Sequence, residues 1–185
     1  LAASSSVLAS IYFIFLFFSL AFISSCSINN EKEIKSVKEL SIKVKLLQST
    51  FDSVNMGDVK LAINTYSINM DKISKYHESD SIDYDFNHTL NLYKGIKKTG
   101  KNLHESHKIN KQNIELLVSQ LEKLKLDLEN NAIKTDSIQG FIDFETKNIG
   151  KLSDDIGTFV TDCEYILETH AAYAEKVRGY TVAFN

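Results

Sequence analysis

An apolar stripe with a period of about 3.5 residues runs through the C-terminal part of the sequence and is the strongest constraint on its fold. Its members lie alternately four and three residues apart, and all but two are apolar or aromatic. They are Ile138, Ile142, Glu145, Ile149, Leu152, Ile156, Phe159, Cys163, Ile166, His170, Tyr173, Val177 and Tyr180. The chain contains no proline, and proline is the residue that most strongly breaks a helix interior. The stripe therefore predicts one amphipathic helix over residues 135–181, about 70 Å long.

The same spacing occurs in two earlier segments of the chain. One stripe consists of Phe86, Leu90, Tyr93, Ile96, Gly100, Leu103, His107, Asn110, Ile114, Leu117, Leu121, Leu124 and Leu128. It weakens between Gly100 and Asn110, which indicates a kink or a break. Two shorter stripes precede it, consisting of Val37, Leu40, Val44, Leu47 and Phe51 and of Val59, Ile63, Tyr66, Met70 and Ile73.

The segments 31–78, 84–131 and 135–181 are each about 47 residues long, or about 70 Å as helices. Equal lengths predict an all-α fold, an elongated antiparallel bundle of three long helices with coiled-coil-like packing. The alternative is four helices with a break near Gly57, where Gly57 would be a C-cap and Asp58 an N-cap. Glycines inside the helical pattern lower helix propensity, so these helices must depend on packing against one another.

The polar members of the stripes can be placed by pairing the last two segments as a hairpin that turns near Ile133. This register puts His107 opposite Phe159 and His170 opposite Ile96. The two histidines would then stand about 16 Å apart along the axis. They are therefore not expected to share a metal ion.

Glu145 faces Leu121 in the same register, and Lys123 and Lys125 are expected to solvate its carboxylate. A polar side chain in a heptad core more often fixes register than performs chemistry. We therefore interpret Glu145, Asn110 and His170 as residues that fix the register of the bundle.

The first 25 residues differ from the rest of the chain because they carry no charge. Residues 7–23 are an apolar run interrupted only by serine. The run is shorter than the ~20 residues of a typical membrane-spanning helix, and its length is typical of a signal-peptide core. It ends in the sequence Ile23-Ser24-Ser25-Cys26.

These four residues resemble the lipobox of bacterial lipoproteins. The resemblance implies cleavage between Ser25 and Cys26, addition of a diacylglyceryl group to Cys26, and acylation of the new amino terminus. Two or more acyl chains suffice for stable anchoring. Ser27 in place of aspartate resembles lipoproteins sorted to an outer membrane, which implies a lipid-anchored protein of the cell envelope.

The resemblance divides the chain into a signal peptide (1–25), a short lipidated tether (26–30) and a helical bundle domain (31–185). The alternative is an uncleaved N-terminal membrane helix in which Cys26 is an ordinary residue. The sequence begins at Leu1, without the methionine and basic segment that usually start a signal peptide, and we expect that its first residues are missing. Lipidation of Cys26 would leave Cys163 as the remaining thiol, so we expect no disulfide.

Composition and motifs argue against several classes of function. The net charge is −3 and Arg178 is the only arginine, whereas a nucleic-acid binder needs a basic stripe. No serine–histidine–aspartate signature, phosphate loop, Cys-x-x-Cys or paired-carboxylate motif is present. His104 and His107 stand three apart rather than four, unlike the zinc motif H-E-x-x-H. We therefore expect neither an enzyme nor a bound cofactor.

The turn at residues 79–83 carries the one cluster of possible metal ligands. Here His77, Asp80, Asp85 and His88 could converge on a divalent cation, because imidazole and carboxylate groups are common metal ligands. The commoner interpretation of such a turn is an acidic, solvated loop.

In a three-helix bundle the Cys26 anchor and the turn near residue 133 lie at one end, and the 79–83 turn lies at the other. Tyr76, Tyr84 and Tyr180 would gather at that distal end, and aromatic residues are enriched at protein interfaces. Capping of the core is the competing interpretation of these tyrosines. The sequence thus predicts a structural or interaction module with an unknown envelope partner, as a monomer or a homodimer. The alternative function is a sensory bundle that binds a small ligand or a metal.

Overall fold

The computed structural model describes residues 30–76 and 84–182, and these residues form six helices. They are α1 (Glu31–Asp52), α2 (Met56–Tyr76), α3 (Tyr84–Tyr93), α4 (Gly95–Gly100), α5 (Leu103–Glu129) and α6 (Thr135–Val182). Within these ranges there is no strand. The longest helix, α6, has 48 residues and therefore extends about 72 Å.

The six helices are arranged as three arms. The first arm is α1 with α2, the second is α3 to α5, and the third is α6 alone. Helix α1 packs against α5, and α2 packs against α4, so the first two arms are antiparallel. Helix α6 packs against all five other helices and spans the whole bundle. The predicted all-α bundle of three antiparallel arms is confirmed.

The core lies where the predicted stripes of the three arms face one another. The largest fully buried hydrophobic side chains come from all three arms and are Tyr93, Phe159, Ile96, Leu121, Leu128, Ile156, Ile166, Val37, Val44, Val59 and Val177. Since each helix is amphipathic and solvated on its other face, burial of these stripes is the main force that holds the arms together.

The first arm is interrupted at residues 53–55, so the prediction of one continuous helix is wrong and the break near Gly57 is correct. Asn55 caps the start of α2, because its Oδ1 accepts hydrogen bonds from the amides of Gly57 (3.0 Å) and Asp58 (3.4 Å). Its Nδ2 donates to Asp58 Oδ2 at 2.8 Å. Neither predicted cap is therefore correct: Gly57 lies inside α2, and Asn55 is the residue that caps it.

The second arm is interrupted twice, at Lys94 and at residues 101–102. Lys94 keeps helical dihedral angles, with φ −61° and ψ −18°, so the arm continues in the same direction. Asn102 departs further, with φ −111° and ψ 6°. This second interruption lies where the stripe was predicted to weaken, directly after Gly100.

The register of the second and third arms agrees with the predicted hairpin. The rings of His107 and Phe159 lie opposite each other with centroids 5.7 Å apart. His170 reaches Tyr93, about one helical turn from the predicted neighbour Ile96. Asn110 is buried and donates a long hydrogen bond of 3.5 Å to the carbonyl of Asp155.

Glu145 departs from the prediction that lysines solvate it. Its side chain accepts a hydrogen bond from Asn148 Nδ2 at 3.4 Å within α6. Lys125 pairs with Glu129 instead, at 3.5 Å. Lys123 lines the same surface groove as Glu145 without forming an ion pair among the described residues.

Candidate functional site

The distal end of the bundle, where α3 begins and α6 ends, carries a network around the Asp85 carboxylate. Lys176 Nζ lies 3.0 Å from Oδ1 and 2.8 Å from Oδ2, and the Tyr180 hydroxyl donates to Oδ2 at 3.0 Å. The hydrogen bond from Lys176, followed by that from Tyr180, lowers the pKa of Asp85 below its usual value. The network ties the first turn of α3 to the last turns of α6.

Two aromatic contacts flank this network. Tyr84 is 84% exposed and lies parallel to the His88 ring, with centroids 6.3 Å apart. Tyr180 packs edge-on against the buried Phe86 ring at 4.6 Å. Tyr84 therefore projects into solvent, whereas Tyr180 caps the core, so the two predicted interface tyrosines have different roles. The third, Tyr76, is the last residue of α2.

The structure assigns different partners to the predicted metal ligands that it describes. Asp85 binds Lys176 and Tyr180, and His88 packs against Tyr84. His77 and Asp80 lie outside the described residues, so the four-ligand hypothesis stays a prediction. Within residues 30–76 and 84–182, no three or more His, Cys, Asp or Glu side chains are grouped so that they could hold a metal ion.

At the opposite, proximal end the first described residue is fixed to the turn between the second and third arms. Asn30 Nδ2 donates to the Leu128 carbonyl at 3.0 Å and to Asn131 Oδ1 at 3.1 Å. Asn131 takes a positive φ of 52°, a conformation that asparagine tolerates at a helix C-terminus. The lipidation residue Cys26 and the cleavage residue Ser25 lie outside the described residues. Cys26 precedes Asn30 by four positions.

In the distal half of the bundle a buried polar contact joins all three arms. The Tyr93 hydroxyl accepts a long hydrogen bond of 3.4 Å from Asn69 and lies 3.4 Å from His170 Nδ1. Tyr66 packs on the Tyr93 ring at 5.1 Å. Burial lowers the pKa of His170 and raises that of Tyr93. The sequence predicted that His170 fixes register, but Tyr93 counted there as an apolar stripe residue and its polar role was missed.

His107 occupies a second aromatic contact across the three arms. Its ring stacks on Phe51 at 4.9 Å and meets Phe159 at 5.7 Å. Burial, followed by the positive charges of Lys60 and Lys111, lowers the pKa of His107. The His107 ring packs between two phenyl rings, and its place opposite Phe159 agrees with the predicted register.

Cys163 is the free thiol of the described residues and is almost fully buried on the core stripe. Burial raises its pKa to about 11. Because the thiolate is the reactive form, this cysteine is expected to be inert in the folded chain.

Two further findings bear on the chain as a whole. None of the described helices has an apolar stretch long enough to cross a membrane. Comparisons with protein-family models, with curated proteins and with solved structures found no match.

Proposed function

We propose that the chain is a lipid-anchored helical module of the bacterial cell envelope, attached through Cys26 and presenting its distal end to a partner protein. The observation that supports this most directly is the contact of Asn30 with Leu128 and Asn131. It fixes the start of the bundle at the proximal end. A lipid on Cys26 would therefore leave the distal end about 70 Å away.

The distal end has features suited to an interface. Tyr84 is the most exposed of the large hydrophobic and aromatic side chains in the described part of the chain. It lies beside the exposed Asp85–Lys176 pair. Tyrosine surrounded by charged groups is a common composition at protein interfaces. Asp85 and Phe86 beside Tyr84 are held by Lys176 and Tyr180 of α6, so these two residues would need little ordering on binding.

The anchor is tested by the intact mass of the protein extracted from bacterial membranes, compared with a Cys26→Ala variant. We expect a mass that begins at residue 26 and includes two or three acyl chains, as the lipobox resemblance implies. The variant should lose both the added mass and the membrane association. A chain that retains residues 1–25 without added mass would disprove the anchor.

The distal interface is tested separately by photo-crosslinking in cells. A benzoylphenylalanine at position 84 should give a discrete intermolecular product. The control is the same group at Phe144, an exposed aromatic residue in the proximal half of α6, which should give none. Equal products at both positions, or none at position 84, would contradict a distal binding surface.

A further inference from the structure

A groove between α2 and α4 combines an apolar floor with an unneutralised basic rim. Ile63, Tyr66 and Ile96 supply the floor, and the groove has a volume of about 560 Å³. Gly100 also lies on the floor, where a Cβ would come within 3.1 Å of Ile63 Cδ1. The glycine therefore lets α4 approach α2 closely.

Four lysines form the rim, Lys94, Lys97, Lys98 and Lys101, and all four are exposed. Their spacing is i, i+3, i+4 and i+7, which places them on one face of a helix. The dihedral angles of Lys94 and Lys101 are helical, so this face continues across the ends of α4. The four lysines form a basic row about 10 Å long beside the groove.

No carboxylate lines this groove. Between Asp58 and Asp71, and again between Asp85 and Glu105, the sequence contains lysines and no acidic residue. None of the four rim lysines forms an ion pair with any described residue. This local excess of positive charge stands out in a chain whose net charge is −3.

The basic row is unfavourable for the isolated chain. Like charges three and four residues apart on a helix repel one another. They occur here on a six-residue helix that contains two glycines, Gly95 and Gly100, so local helix propensity does not compensate. Carboxylates from a partner would remove this repulsion, and the half-buried Ile63 is the part of the floor that apolar side chains of a partner would contact.

We propose that the α2–α4 groove binds an acidic amphipathic helix of a partner protein. The groove is open along its length rather than enclosed, so it suits a linear segment better than a compact ligand, which binds in a concave pocket. Carboxylates at helical spacing along the partner would face the lysine row, and its apolar face would cover the half-buried Ile63 and the methylene stems of the lysines. This site is separate from the distal end and does not depend on the lipid anchor.

The test uses the full-length protein in amphipol, because detergent would compete for the apolar floor. The probe is a fluorescent amphipathic peptide of about 18 residues, or five helical turns, with leucine on one face and glutamate beside it. A control peptide carries lysine in place of each glutamate. We expect fluorescence anisotropy to show saturable binding of the acidic peptide alone, weakened about tenfold or more by high salt.

Two pairs of matched variants locate the binding. Lys97→Glu with Lys98→Glu should weaken binding about tenfold or more, whereas Lys108→Glu with Lys111→Glu, an equal charge change on exposed positions of α5, should not. Ser67→Phe fills the groove from an exposed position and should also abolish binding. Its control is Ser36→Phe on α1, because Ser36, like Ser67, donates a hydrogen bond to the carbonyl four residues earlier. Circular dichroism confirms that each variant is folded.

Equal weakening by both charge pairs would overturn the proposal, as would failure of the acidic peptide to bind. If dodecanoate occupies the groove while the peptide does not, the ligand is a small anionic amphiphile and the proposal is wrong. The measurement works with or without a lipid on Cys26. Its failure would therefore leave the anchor proposal standing, and loss of the anchor would leave this proposal standing.

Discussion

His107 and His170 are the two histidines whose pKa is lowered by burial in the bundle. His107 lies between Phe51 of the first arm and Phe159 of the third, and His170 lies against the Tyr93 ring of the second arm. Desolvation disfavours the charged form of an imidazole. Burial accordingly holds the pKa of each below its usual value of 6.5. The two residues therefore couple protonation to unfolding.

The free energy of unfolding should reach its highest value above about pH 7 and should fall as the pH drops through 6.5. The reason is that, as the pH falls, these histidines bind protons in the unfolded chain before they do so in the folded one. Urea denaturation between about pH 7.5 and pH 5 measures this above the usual carboxyl range. His107→Phe combined with His170→Gln should flatten the dependence, while exposed His104→Gln should leave it unchanged. A dependence that persists in the double variant would assign it to other groups.

At the scale of the residue, the sequence showed which stripe positions are polar, but it did not predict most of the contacts that these side chains make. Pairing by register predicted the contact of His107 with Phe159 because that contact follows from heptad spacing alone. The contact of His170 with Tyr93 depends on how far a hydroxyl reaches along the axis. Glu145 accepts a hydrogen bond from Asn148 in its own helix rather than from a lysine across the interface. Side-chain reach and rotamer choice are not contained in periodicity.

At the scale of the helix, α6 contains glycines that packing does not require. A Cβ added at Gly150 or Gly157 would meet no atom within 4 Å. Both positions are exposed on the outer face of α6. The helix therefore bears the entropic cost of these glycines with no compensating contact.

Gly150→Ala and Gly157→Ala should each stabilise the protein by about 1 kcal/mol, since alanine is the better helix former. Gly100→Ala is the matched control. There a Cβ would approach Ile63 to 3.1 Å, so the gain should be reduced or reversed. Chemical denaturation of the three variants gives the comparison. A gain at Gly100 equal to the other two would show that the α2–α4 contact is not tight.

The helix ends were predicted less well than the helices, for an identifiable reason. The apolar stripes on both sides of residues 53–55 can be joined by a small shift in phase, so periodicity alone allowed a continuous arm. Asn55 decides the question locally, because its side chain caps α2 more favourably than it would sit inside a helix. The interruption at Lys94 has helical dihedral angles and carries no composition signal. The one after Gly100 was predicted from the weak stripe.

At the scale of the whole molecule, three arms of equal length and an unbroken third arm were sufficient to predict the layout. The short turn at residues 130–134 forces the last two arms to be antiparallel neighbours. The first arm then has one remaining position, against both of them. Surface features did not follow from this layout, because the groove beside the lysine row forms only when α2 and α4 are placed side by side.

Chemical crosslinking can test at which end of the bundle the first arm begins. In a Cys26→Ala background the buried Cys163 should not react, so two new cysteines report on proximity. Asn30→Cys with Asn131→Cys should be joined within one chain by a short bismaleimide, because Nδ2 of Asn30 and Oδ1 of Asn131 lie 3.1 Å apart. Asn30→Cys with Gly179→Cys should not, because about 66 Å of α6 separates the proximal turn from position 179. Mass spectrometry of the tryptic digest distinguishes the products. Efficient joining of residues 30 and 179 would mean that the first arm enters at the distal end, and the tether would then lie beside Asp85 and Tyr180.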